Sequence, residues 1–207
     1  MAARRLSGAG FRRKCDPAME AFLTSMFVVA LGEIGDKTQL LALVLAARLR
    51  KPVPIILGIL VATLFNHALA GIVGAWVRQV VPLEYLRWLL AASFFAVALW
   101  ALRPDTLDDT DARPASRFGA FGVTVVSFFL AEIGDKTQIA TVVLAAQFNQ
   151  LPAVVAGTTL GMLIADVPVV LLGNAAAVRI PLGVVRKIAA ALFAVMGFVA
   201  LFFPGST

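Results

Sequence analysis

Six apolar stretches alternate with short polar separators along this chain, at about 20–47, 53–77, 83–102, 118–147, 152–177 and 183–203. A helix needs about 20 apolar residues to cross the hydrocarbon core of a bilayer, so each stretch predicts one membrane span. The separators are Arg48 to Pro52, Arg78 to Pro82, Arg103 to Arg117, Gln147 to Pro152 and Val178 to Pro181. Charge and proline of this kind end helices and favour water. Trp76, Tyr85, Trp88 and Trp100 fall near predicted span ends, where amphipathic rings favour the membrane interface.

The pattern repeats at a fixed offset. Glu33-Ile34-Gly35-Asp36-Lys37-Thr38-Gln39 recurs unchanged 99 residues later as Glu132-Ile133-Gly134-Asp135-Lys136-Thr137-Gln138. Residues 31–47 match residues 130–146 at 12 of 17 positions, and Gly58, Gly74, Pro82 and Arg87 recur as Gly157, Gly173, Pro181 and Arg186. The register holds through all three spans of each half without an insertion. The expected architecture is therefore an all-α membrane protein of six transmembrane helices. It comprises a first three-span repeat over 19–102, a linker over 103–117 and a second repeat over 118–207. An odd number of spans per half inverts one half relative to the other, and inverted repeats build many secondary transporters around a mid-membrane site.

Composition agrees. The chain is 60% hydrophobic and 14% charged, with a mean hydropathy of +0.91, against about 25% charged residues in soluble domains. The net charge of +6 does not mark a nucleic-acid binder, because the basic residues lie between the spans and in an N-terminal tail. That tail, residues 1–18, carries Arg4, Arg5, Arg12, Arg13 and Lys14 and lacks the apolar core of a signal peptide. It reads as a disordered basic extension, with Met19 as an alternative start. The lone Cys15 excludes an intrachain disulfide and a cysteine-cluster metal site. Asp105, Asp108, Asp109 and Asp111 sit among arginines and prolines in the linker and read as a solvated connection.

Lysine and arginine placement sets the expected orientation. The connections after spans 1, 3 and 5 hold nine basic residues, and those after spans 2 and 4 hold only Arg78 and Arg87. The positive-inside rule puts the first group in the cytoplasm, with both termini outside.

The candidate chemistry lies in the repeated heptapeptide. A charged side chain at mid-bilayer costs about 2.5–3.5 kcal/mol on insertion scales, so six of them require a shared interior or water-filled site. Helical spacing would put Glu33, Asp36 and Lys37 on one face, and Glu132, Asp135 and Lys136 likewise. Gly35 and Gly134 would permit a local break. Thr38, Thr137, Gln39 and Gln138 add neutral oxygens. Carboxylate, amide and hydroxyl oxygens suit hard cations such as Mg²⁺, Ca²⁺ or Mn²⁺, whereas Cu(I) and Zn²⁺ favour sulfur or imidazole. His67 and Asp166 also correspond at the 99-residue offset, mid-span in the second helix of each half. They are candidates for a proton relay, since imidazole titrates near neutrality; for His67 a hydrogen-bonded core role is equally open. Lys37 and Lys136 are candidates for the relay or for charge balance. Asn66 and Asn174 read as helix–helix hydrogen-bonders.

The duplicated Glu-x-Gly-Asp-Lys-Thr in two three-span halves resembles the GDT family of cation/proton exchangers, which includes Golgi transmembrane protein 165 and bacterial manganese exporters. The resemblance covers residues 19–203. It implies Mn²⁺ or Ca²⁺ transport coupled to protons, with Glu33, Asp36, Glu132 and Asp135 as cation ligands and with Gln39 and Gln138 beside them. Both copies read Lys-Thr where eukaryotic members vary the second towards Arg-Ser, which points to a bacterial inner-membrane protein. The expected function is Mn²⁺ export against protons, with Ca²⁺/H⁺ exchange as the nearest alternative and export of an organic cation or amino acid behind it. No nucleophile or cofactor motif supports an enzyme. The expected partners are a divalent cation, protons and the lipid bilayer, with no cofactor and no nucleic acid; homo-oligomerisation is left open.

Overall fold

Both copies of the heptapeptide interrupt a helix, so the first and fourth apolar stretches each fold as two helices instead of one. The computed structural model describes residues 16–103, 119–172 and 182–202. The tail through Cys15, the linker acids and Asn174 lie outside the described residues. Among those residues there are eight helices: α1 (Pro17–Glu33), α2 (Lys37–Leu49), α3 (Pro52–Val80), α4 (Leu83–Ala101), α5 (Ala120–Glu132), α6 (Lys136–Phe148), α7 (Leu151–Leu172) and α8 (Leu182–Phe202). No strand occurs among the described residues.

Local sequence explains the boundaries. Asp16 accepts a hydrogen bond from the Ala18 N–H at 3.0 Å and Pro17 opens α1, the usual N-cap and first-turn chemistry. α2 and α6 both end on a residue in the left-handed region, Arg50 (φ 51°) and Asn149 (φ 50°), at corresponding places in the two halves. Pro52 then starts α3, which an internal helix position would not tolerate.

Helices α3, α4 and α7 are each long and apolar enough to cross a membrane, and α1 with α2 qualifies as one span bent by 69°. α5 is a shorter apolar helix. The outer surface is apolar, with Phe65, Trp76, Leu99 and Phe198 exposed, and the interior holds buried acids and hydroxyls. That distribution reverses the soluble pattern.

The packing exchanges helices between halves. α1 lies along α7, α3 along α5, and α4 against α8. Small residues let the backbones meet: a Cβ on Gly157 would come within 2.4 Å of the Phe22 carbonyl oxygen, and one on Gly161 within 2.5 Å of that of Met26. Gly58, the counterpart of Gly157, meets Thr124 in the same way, at 2.7 Å. With little hydrophobic drive between helices in lipid, such close approach is a main source of association. One apolar cluster gathers Phe94, Leu144 and Phe193, and a second gathers Leu41, Ile59, Phe128 and Met162. The crossings carry the C-terminal ends of α1 and α5, and therefore Glu33 and Glu132, into the centre of the bundle.

Candidate cation site

Each residue of the heptapeptide has a structural assignment. Glu33 ends α1; Ile34 (φ −64°, ψ 113°) and Gly35 (φ 83°) then form a turn closed by the Asp36 N–H donating to the Glu33 carbonyl at 2.9 Å. The second copy repeats it with Ile133 (φ −61°, ψ 119°), Gly134 (φ 76°) and a 3.1 Å bond from Asp135 to Glu132. These are type II turns, whose third position needs φ above zero and so selects glycine. The shared helical face expected for Glu33, Asp36 and Lys37 is therefore replaced by a turn, because the positive φ at glycine ends the helical register.

Asp36 and Asp135 become the N-cap residues of α2 and α6, yet neither carboxylate makes a capping hydrogen bond. Capping falls to the glutamines three residues on. Gln39 accepts from the Gly35 N–H at 2.9 Å and donates to the Ala165 carbonyl at 3.2 Å. Gln138 accepts from the Gly134 N–H at 2.8 Å and donates to Asn66 at 2.7 Å. In this conformation both glutamine oxygens serve the backbone of the break. The threonines serve the glutamates: Thr38 donates to Glu33, and Thr137 to Glu132 at 3.4 Å. Sequence reasoning counted Thr38 and Thr137 as neutral oxygens only. The signal for their role was their position five residues after each glutamate across the turn.

The two breaks meet. Ligand oxygens of Glu33, Glu132 and Asp135 lie within 4.8 Å of one another, and all three residues are buried. Glu33 Oε1, Glu132 Oε1 and Asp135 Oδ2 have no hydrogen-bond partner. Unpaired buried carboxylates are costly unless a cation or protons neutralise them, and the three residues could together hold a hard cation. Asp36 is equally buried but pairs with the ammonium of Lys136, itself buried, across the boundary between the halves. Lys37 is partly exposed and acts electrostatically on Glu132.

The mid-span pair frames the site. His67 Nε2 is 3.8 Å from Glu132 Oε2. Asp166 is fully buried within electrostatic range of Glu33 and Glu132. Asn66, which also donates to the Phe129 carbonyl at 3.4 Å, ties α3 to both α5 and the start of α6.

Carboxylates converging at two helix breaks inside an apolar bundle define a class, that of multi-pass membrane proteins that move ions. The chain belongs to the family described as divalent cation/proton antiporter GDT1, whose model matches residues 21–109 and 120–205. It is 50% identical over 186 residues to the "Putative manganese exporter" of Vibrio cholerae, covering 89% of this chain and 92% of that protein. It is 31% identical over 195 residues to the GDT1-like protein sll0615 of Synechocystis, covering 84% and 93%. It is 29% identical over 210 residues to GDT1-like protein 4 of Oryza sativa, covering 89% and 74%. No solved structure matches the chain.

Proposed function

We propose that this protein exports Mn²⁺ in exchange for protons across a bacterial inner membrane. It would do so by alternating access between two inverted halves of three spans each. The observation that carries this reading is the buried group of Glu33, Glu132 and Asp135, which takes ligands from both halves. An all-oxygen donor set suits Mn²⁺, and the resemblance to an exporter named for manganese favours that ion. The same donors fit Ca²⁺, which is the second reading.

Exchange follows from charge. With Asp36 balanced by Lys136, the three remaining carboxylates of the two motifs and Lys37 sum to a formal charge of −2, Asp166 being left out of the sum as a proton carrier. One divalent cation neutralises that charge, and so do two protons. The empty charged site is costly to enclose, so enclosed states are cation-loaded or doubly protonated, and cycling between them exchanges one for the other. His67, 3.8 Å from Glu132, and Asp166, within electrostatic range of both glutamates, would pass protons to them.

The test is uptake of Mn²⁺, Ca²⁺ and Mg²⁺ by the purified protein in liposomes with an imposed pH gradient. Mn²⁺ uptake driven by the gradient and accompanied by counterflow of protons supports the proposal. Uptake indifferent to the gradient overturns exchange, and faster Ca²⁺ than Mn²⁺ flux selects the second reading.

A further inference from the structure

The two halves share one motif but do not sit alike around the seat. Lys136 of the second half is buried and paired with Asp36 of the first. The equivalent pair, Lys37 with Asp135, is not formed among the described residues; Lys37 is partly exposed instead. Correspondingly, Asp135 joins Glu33 and Glu132 in the cation seat, whereas its counterpart Asp36 does not.

The packing of the short helices differs in the same sense. α6 lies against α3 and α4, while α2 makes no comparable packing with α8 among the described residues. Arg78 donates to the Ala146 and Gln147 carbonyls at 2.9 and 3.1 Å, pinning the end of α6. Among the described residues α6 is thus packed by α3 and α4, and α2 by α7; residues 173–181, which correspond to 74–82, lie outside them. Two equivalent segments hold two different arrangements of the same residues, and exchange between two such packings is a known way for packed elements to switch.

We propose that Asp36 and Asp135 alternate as cation ligands and that the two lysines are exchangeable counter-ions. In the present conformation Lys136 neutralises Asp36, and the cation binds Glu33, Glu132 and Asp135. In the opposite-facing conformation α2 takes the arrangement that α6 has here, Lys37 neutralises Asp135, and Asp36 replaces Asp135 in the seat. The two glutamates stay with the ion throughout. Each conformation then has the same ligand count and the same net charge, so neither leaves Asp36 or Asp135 as an unpaired buried acid. A cation held alike in both conformations does not bias the equilibrium between them, which keeps the loaded carrier free to turn. This proposal rests on the reading of the buried acids as a cation seat.

The experiment locks the present conformation and asks which aspartate still matters. Leu86 of α4 and Gln147 of α6 line the same small cavity. Leu86→Cys and Gln147→Cys, in a Cys15→Ser background, place two thiols at that cavity, and their oxidation to a disulfide is verified by mass spectrometry before binding is measured. Mn²⁺ binding is then measured calorimetrically on the oxidised and reduced full-length protein. The expected result is that the oxidised form binds Mn²⁺ and keeps doing so with Asp36→Asn but loses it with Asp135→Asn. Equal loss with either substitution in the oxidised form, or no binding by the oxidised parent when the reduced parent binds, overturns the exchange of ligands. Absence of Mn²⁺ binding by the reduced parent overturns the cation seat itself. A second measurement uses the yield of that disulfide as a gauge of conformation. Lys37→Gln, at a partly exposed position, should raise the ratio of the present to the opposite-facing conformation by about ten-fold or more, and Lys136→Gln should lower it comparably. Asp36→Asn should reverse the effect of Lys136→Gln, and Asp135→Asn should reverse that of Lys37→Gln. Shifts in the same direction for both lysines overturn the proposal.

Discussion

Gln39 turns its side-chain oxygen back onto the backbone N–H of Gly35, 2.9 Å away, and so holds the helix break that carries Glu33 and Asp36. Gln138 does the same for Gly134 at 2.8 Å. Loss of the acceptor leaves an N–H without its partner, half-buried at Gly35 and exposed at Gly134, at a cost of about 1–3 kcal/mol where the group is shut away from water. Gln39→Ala and Gln138→Ala should therefore lower the melting temperature in detergent and weaken Mn²⁺ binding about ten-fold or less. Abolished binding with an unchanged melting temperature would instead make the glutamines direct ligands.

Gly134 and Gly161 are glycine for different reasons, and substitution should tell them apart. Gly134 has φ 76° with nothing within 4 Å of where a Cβ would stand, so Gly134→Ala meets only backbone strain, about 1–2 kcal/mol. At Gly161 a Cβ would lie 2.5 Å from the Met26 carbonyl and 2.9 Å from the Ala30 nitrogen. Gly161→Ala must push α7 off α1. Thermal unfolding in detergent should show the larger loss for Gly161→Ala, while Gly134→Ala should impair Mn²⁺ transport at nearly unchanged expression. The reverse ranking would mean that the α1–α7 contact yields easily.

Glu33 and Glu132 each carry an unpartnered buried oxygen, and ligand oxygens of the two lie within 4.8 Å of each other. Glu33→Gln and Glu132→Gln should each abolish transport in liposomes while the protein elutes normally on size exclusion. The supporting threonines should differ in degree: Thr38 bonds Glu33 closely, and Thr137 reaches Glu132 only at 3.4 Å. Thr38→Val should thus reduce transport more than Thr137→Val. Normal transport by either glutamine variant would remove that half from the site.

The repeat at 99 residues was readable in the sequence and reappears in the helix bounds: Lys37–Leu49 and Lys136–Phe148 correspond residue for residue. The break was also written there, though in residues that invited a chemical reading. Glycine at the third position of a turn, aspartate at an N-cap and glutamine three residues on form a helix-start signal. Set in an apolar run, the same polar residues look like one face of a continuous span. What the pattern could not supply is the sorting of four equivalent acids. The pairing of Asp36 with Lys136 and the grouping of Asp135 with the glutamates depend on how one half rests on the other. Two identical heptapeptides contain no information on that difference.

Proton coupling offers the strictest check. The carboxylates of Glu33, Glu132 and Asp135 must be ionised to bind a metal, so binding competes with protons. The sign is fixed by mass action: as pH falls, protons occupy the oxygens, and Mn²⁺ affinity falls with it. For a seat of formal charge −2 that is neutral when empty and enclosed, each Mn²⁺ bound should displace about two protons, and the logarithm of affinity should rise with pH at a slope approaching about two over the range where the seat titrates. Calorimetry of Mn²⁺ binding in buffers of different ionisation enthalpy measures the protons released per metal. If the imidazole, 3.8 Å from Glu132, relays protons without binding the ion, His67→Gln should leave that number unchanged at equilibrium while slowing proton-driven turnover. Proton release near zero at neutral pH, with flux indifferent to a pH gradient, would mean that the seat conducts Mn²⁺ without exchange.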